Sequence, residues 1–297
     1  MAITGRVTER SIHTRVLSNL QRNIARGEKI QDQLSSGKQL NRPSDSPTGT
    51  VTSMQLRGES RATQQYSRNA DDGLGWLATL DSTLTSTSTL VNRARDLSVQ
   101  ALNTGAGDAL SRQALATEID QIRTSLIGYA NTKYLDRPVF GGTTTGDLAY
   151  LPSGVYQGDS GTTTRTVGAG AKVRVDANGP EAFGSGDSQV FKVLQDISDS
   201  IKSGKSDDLS ANLKMLDNAA DLMKSTLSEV GARYNRVEQM KQSAQDRLLS
   251  VTSQLSDVED IDLPKAIMEM QLQQTAYQAA LAASAKVIQP SLIDFLR

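Results

Sequence analysis

The sequence predicts a mainly α protein: an elongated antiparallel helical bundle or coiled-coil rod made by the N- and C-terminal segments, with a small β-rich inserted domain between them. Three observations predict it. Apolar residues recur at helical spacing through both halves, most persistently at Val230, Val237, Met240, Ala244, Leu248, Val251, Leu255 and Val258, four heptads of a coiled-coil seam. From about residue 141 to 186, Gly, Thr, Ser and Val replace the helix formers. Finally, 37% hydrophobic and 4% aromatic residues in a 297-residue chain are thin for one large globular core.

The first element runs from about Arg6 to Leu34, where Ile12, Val16, Leu20, Ile24, Ile30 and Leu34 form one apolar stripe of an amphipathic helix. Gly27 inside it costs about 1 kcal/mol relative to alanine. The stretch LSSGKQLNRPSDSPTG ends this helix: Gly37 suits a left-handed cap, and Pro43 bars helical geometry just before it. Ser44 or Asp45 is placed to cap a second helix, with Pro47 in its first turn. That helix extends to about Leu102 with a flexure near DDGLG, and its best stripe is Leu77, Leu80, Leu84 and Val91. After the loop NTGAGD, a third helix spans about Ala109 to Lys133, with Leu115, Ile119, Ile122, Leu126 and Tyr129 at heptad spacing. The short loop predicts an antiparallel hairpin of these two helices. In the β-rich segment, TTTRTVGAGAKVRVD places two alternating stretches around GAGA. Some 45 residues bury little surface alone, so the insertion should rest on the helical body. Helix returns at about Gln189 and again after SGKSDD, and EDIDLP, ending at Pro264, breaks the long seam. An alanine- and glutamine-rich helical tail follows, from Lys265 to about Val287. The order is nearly palindromic, so both ends must lie together. The domains expected are 1–43 with 263–297, 44–140 with 187–262, and the insertion 141–186.

Much chemistry is missing. The only histidine is His13, so paired-histidine zinc motifs and Cys-His dyads are excluded, and no nucleophile elbow accompanies it. There is no cysteine. The run Glu259–Asp262 lacks the alternating ligands and central glycine of a calcium loop and reads as a capping or solvated turn. The glycine-rich segments match no phosphate or dinucleotide loop. No catalytic residue, cofactor or metal is expected. Trp76 leads a small aromatic set that reads as packing. Residues 1–40 carry seven basic residues against three acids, but without the interleaved aromatic or base-reading residues of a nucleic-acid surface. A solvated helix face is the better reading, with no nucleic-acid partner. No apolar run is long enough to span a bilayer, so no membrane partner is expected. The opening MAITGRVTER lacks an apolar core, which predicts no ordinary secretory signal and leaves the cytoplasm or an unusual export route.

The N-terminal LSSGKQLNRPSDSPTG, the central DGLGWLATLDSTL and ANTKYLDRPVFGG, and the C-terminal AIMEMQLQQTAYQAALAASAKVIQPSLIDFL together resemble the bacterial flagellin superfamily. NRPSDSP and ANTKYLDRPVFGG look like the members that join hook to filament rather than filament flagellin, whose joint is generally proline-poor. The resemblance implies a structural protein, not an enzyme. It also implies export from the cytoplasm by the flagellar type III system with a cytoplasmic export chaperone, and an extracellular place in the flagellum. The partners implied are a ring of its own copies, a neighbouring hook-associated protein on the hook side and flagellin on the filament side. The terminal helices would form an inner coiled-coil layer, largely disordered in the monomer and folding on assembly. Matched to that layer, the subunit-interface residues are Ile12, Leu17, Leu20, Ile24 and Leu34 in the first helix, and Tyr277, Ala280, Leu281, Ile288, Leu292 and Leu296 in the last. Pro43, Ser44, Pro47 and Pro264 mark the inter-domain joint. Pro290 and Pro138 depart from the family pattern. A filament flagellin and, from another class, a cytoplasmic coiled-coil scaffold remain as alternatives.

Overall fold

The computed structural model describes residues 9–103, 108–144 and 146–288, with side chains from Thr14 to Ala285. The described elements are α1 (Glu9–Ser36), α2 (Pro47–Asn103), α3 (Ala109–Ala130), β1 (Lys133–Tyr134), β2 (Arg137–Pro138), β3 (Thr164–Gly168), β4 (Ala171–Arg174), α4 (Gly179–Phe183), α5 (Val190–Ser203), α6 (Ser206–Glu259) and α7 (Leu263–Ile288). The fold is mainly α, with two small antiparallel sheets, as the helical periodicity predicts. The chain divides into two compact units, one holding the described residues up to Arg61 and from Leu249, the other Ala62–Leu248. The division falls inside α2 and α6.

In the unit Ala62–Leu248 the predicted seams form the core. Leu77, Leu80, Leu84 and Val91 of α2 are buried with Ile119, Ile122 and Leu126 of α3, and with Val230 and Val237 of α6. Arg93 pairs with Glu118 at 2.7 Å, while Trp76 meets Tyr134 edge-on, so α2 and α3 run antiparallel. Likewise Arg95 with Asp217 and Asp71 with Lys241, both at 2.7 Å, set α6 antiparallel to α2. Lys202 reaches Asp120 at 2.9 Å and Arg123 Nε donates to the Phe191 carbonyl at 2.9 Å, laying α5 on α3.

Two expectations need correction here. The flexure expected at DDGLG does not interrupt the helix: α2 is continuous from Pro47 to Asn103. Its glycines serve close approach instead: a Cβ at Gly75 would lie 2.9 Å from Tyr134 Cζ. Tyr129, placed on the seam by heptad counting, is 40% exposed, while Ala130 is fully buried. The buried row of α3, Ile119, Ile122, Leu126 and Ala130, follows the straight-helix period, which drifts off a strict heptad and turns Tyr129 outward. Residues 104–107 of the predicted NTGAGD loop lie outside the described ones.

The alternating stretches around GAGA form the hairpin β3–β4, with Arg165 opposite Val173, and a bulge between Thr166 and Gly168 that buries Val167. Phe140, Tyr150, Phe183 and Phe191 pack around this segment with ring centroids about 5–6 Å apart. It rests on the helices as expected: Arg165 pairs with Asp72, Asn69 donates to the Thr166 carbonyl, and Thr226 to that of Glu181. An additional hairpin, β1–β2, turns through Leu135 and Asp136 at φ 48° and 62°. Pro138 sits buried in its second strand, opposite Lys133.

In the other unit α1 and α7 pair antiparallel. Gln273 Nε2 donates to the Asn23 carbonyl at 2.8 Å, and Gln39 further along lies against Glu259. The two ends of the described chain therefore lie together, as the palindromic order predicts.

Candidate functional site

The helix pair is thinly buried. Among described side chains, none in α1 is fully buried, and in α7 only Ala266 is. Of the predicted stripe, Val16, Leu20, Ile30 and Leu34 are half-buried, whereas Ile24 is exposed. Tyr277 and Ala280 are half-buried too. By contrast Leu17 and Ile24 in α1, and Leu263, Ile267, Met268, Leu272 and Leu281 in α7, are 42–70% exposed. Two helices can cover only one face of each other, and both carry apolar residues around more than one face. Of the expected interface positions, the side chains of Ile12 and Ile288 and all of Leu292 and Leu296 fall outside the described residues, as does Pro290.

The stretch expected to be the inter-domain joint lies within one compact unit, and its shape follows from local chemistry. Gly37 closes α1 at φ 69°, the left-handed conformation that glycine adopts without strain. Pro43 and Ser44 occupy an exposed turn, in which Asp45 accepts the amides of Asn41 and Arg42 at 3.2 and 2.9 Å. Lys29 Nζ lies 2.9 Å from the Asp45 carboxylate and, with those amides, holds its pKa below the ordinary range. Neither Ser44 nor Asp45 caps α2. Ser46 does, its Oγ accepting the Gly49 amide at 3.1 Å one residue before Pro47 opens the helix, because the Asp45 side chain is turned back to the preceding loop. On the return path α6 ends at Glu259, Asp262 Oδ1 accepts the Lys265 amide at 3.1 Å, and Pro264 sits in the first turn of α7.

The two crossings run side by side. The Gln39 amide donates to the Glu259 carbonyl at 2.7 Å and the Ile261 amide to the Gly37 carbonyl at 3.1 Å, an antiparallel bridge centred on Lys38 and Asp260. At its centre the Glu259 side chain is 4% exposed. Arg57 grips both its oxygens at 2.6 Å, Lys38 Nζ donates at 2.8 Å, and Ser53 Oγ also donates. The Arg57 bond, reinforced by Lys38 and Ser53, outweighs burial and lowers the Glu259 pKa to about 2. Sequence reading missed this group by treating Glu259–Asp262 as one turn: Asp262 caps, but Glu259 is core. Its signal was the spacing, since Val251, Leu255 and Glu259 stand four apart on the seam. Among the described residues, no group of three His, Cys, Asp or Glu is placed to hold a metal ion.

Taken by itself, the α1–α7 pair leaves apolar side chains exposed, whereas the unit Ala62–Leu248 has a buried apolar core of its own. The model of the bacterial flagellin N-terminal helical region matches residues 8–145, and that of the bacterial flagellin C-terminal helical region matches residues 213–296. The chain belongs to the bacterial flagellin family and is a structural protein of the flagellum. It is 27% identical to the flagellin of Bacillus subtilis (strain 168) over 291 residues, 92% of this chain and 93% of that one. It is 25% identical to flagellar hook-associated protein 3 of Escherichia coli (strain K12) over 280 residues, 86% and 88% of the two chains. The crystal structure of Bacillus cereus FlgL superposes with a TM-score of 0.60 at 25% identity, covering 68% of this chain and 99% of that one. Flagellar hook-associated protein-3 from Legionella pneumophila, at 15% identity and a TM-score of 0.62, shares the fold over 69% of this chain and 98% of its own.

Proposed function

We propose that this chain is the hook-associated subunit that joins hook to filament. In this reading it leaves the cytoplasm through the flagellar type III channel, escorted by an export chaperone, and assembles outside the cell as a ring. A hook-associated protein lies on the hook side of the ring and flagellin on the filament side. It performs no catalysis and binds neither nucleic acid nor membrane. Domains 1–43 with 263–297 form the inner layer, 44–140 with 187–262 the next, and 141–186 points outward. The observation that carries the reading is the half-covered α1–α7 pair: Leu17, Ile24, Leu272 and Leu281 stay in water until neighbouring copies bury them. The joint at Pro43, Ser44, Pro47 and Pro264 then aligns inner and outer layers.

The likeness to Bacillus subtilis flagellin over 92% of the chain favours a second reading, a filament subunit. NRPSDSP and ANTKYLDRPVFGG favour the junction. Deleting the gene separates them. A junction subunit predicts cells with hooks, no filaments, and flagellin shed into the medium. Filaments of normal length on the deleted strain would defeat the assignment.

A further inference from the structure

The geometry points to Glu259 as a lock that ties both crossings of the joint to α2, making the joint a rigid, self-contained element rather than a linker. Three separate stretches of chain converge on this one carboxylate: Lys38 from the crossing after α1, Ser53 and Arg57 from α2, and Glu259 itself from the end of α6. The backbone bonds of Gln39 and Ile261 fasten the two crossings to each other, but nothing in that pair of bonds holds them to α2. The side chain of Glu259 supplies the hold. Gln39 Nε2 adds a bond to the Val258 carbonyl at 2.9 Å, and Gln33 Nε2 reaches the Gln39 carbonyl at 2.9 Å, so the end of α1 is drawn into the same cluster.

The arrangement is asymmetric in burial. Lys38 and Arg57 are 42% and 50% exposed, whereas Glu259 is 4% exposed. Removing the carboxylate leaves two cations that water can solvate. Removing Arg57 leaves a buried charge short of its main partner, which is the costlier defect. A lock of this kind works within one chain, whatever place the chain takes in the flagellum, and it keeps α1 and α7 from swinging independently.

Hydrogen–deuterium exchange of the purified full-length chain at neutral pH tests it, comparing wild type, Glu259→Gln and Arg57→Met. Amides of residues 37–41 and 259–262 should be protected in wild type. Glu259→Gln should speed their exchange by about ten-fold or more, and Arg57→Met by more still, while peptides covering residues 77–91 stay unchanged. Joint amides that exchange at the rate of an unstructured peptide in wild type, or that ignore Glu259→Gln, overturn the lock. Should peptides 77–91 also lose protection in those variants, Lys38→Met, which keeps Arg57 and Ser53, takes their place. A smaller acceleration confined to the joint then supports the lock, and no change refutes it.

Discussion

Glu259 shows how one side chain carries a pH dependence. Its carboxyl falls from an ordinary 4.5 to about 2 in the folded chain because Arg57, Lys38 and Ser53 all favour the charged form. A depressed folded value gives stability that is complete above about 4.5 and is lost as pH falls from there towards 2. The carboxylate in turn raises the Arg57 pKa, so Arg57 stays charged while Glu259 takes up its proton. Since both cations are half in water, Glu259→Gln should cost about 1–3 kcal/mol at neutral pH. Denaturant unfolding of the two proteins at a series of pH values checks this: the gap should close between pH 4.5 and 2, and a constant gap would mean packing rather than charge. Gly75 makes a second residue-scale case. A Cβ there meets the Tyr134 ring, which itself stands edge-on to Trp76. Gly75→Ala should therefore destabilise by about 1–3 kcal/mol despite alanine's better helix propensity, seen as a lower Tm.

Elements differ in how plainly they could be read. The stripe of Leu77, Leu80 and Leu84 and the seam through Val230 and Val237 were legible because a buried helix face repeats its apolar residues. The β1–β2 hairpin was not, since Leu135 and Asp136 take positive φ without the glycine or asparagine that normally marks such a turn. The apolar face of α1 was legible as well, yet periodicity says which residues share a face, not how much of that face is covered; Leu20 is half-buried while Ile24 is 45% exposed. Gly27 tests the pairing of α1 with α7. A Cβ there would reach Gln273 Cγ at 3.9 Å, an ordinary contact, so Gly27→Ala should raise helix content and stabilise α1 by up to about 1 kcal/mol. Circular dichroism reads this directly, and a loss of helix would mean that the helices approach more closely than this. Asp262→Ala should act oppositely, removing the α7 cap at a cost of about 1 kcal/mol.

At the scale of the molecule, the question is whether apolar residues were placed for this chain's own core or for its neighbours. The two kinds of position respond differently. Leu80 is fully buried among other apolar side chains, so a charge there must be desolvated and should unfold the surrounding bundle. Leu17 and Leu281 are 58% and 42% exposed in the single chain, so a charge at either can remain hydrated. Leu17→Asp and Leu281→Asp should then leave the unfolding free energy of the monomer within about 0.5 kcal/mol of wild type. If neighbouring copies cover those positions, each buried aspartate must lose its hydration without gaining a partner, at several kcal/mol per contact repeated around the assembly. Cells carrying either variant should export a stable subunit and fail to swim. Swimming at the wild-type rate with both substitutions would place the apolar side of α1 and α7 in water even in the finished flagellum, and the assembly surface would have to be sought elsewhere on the chain.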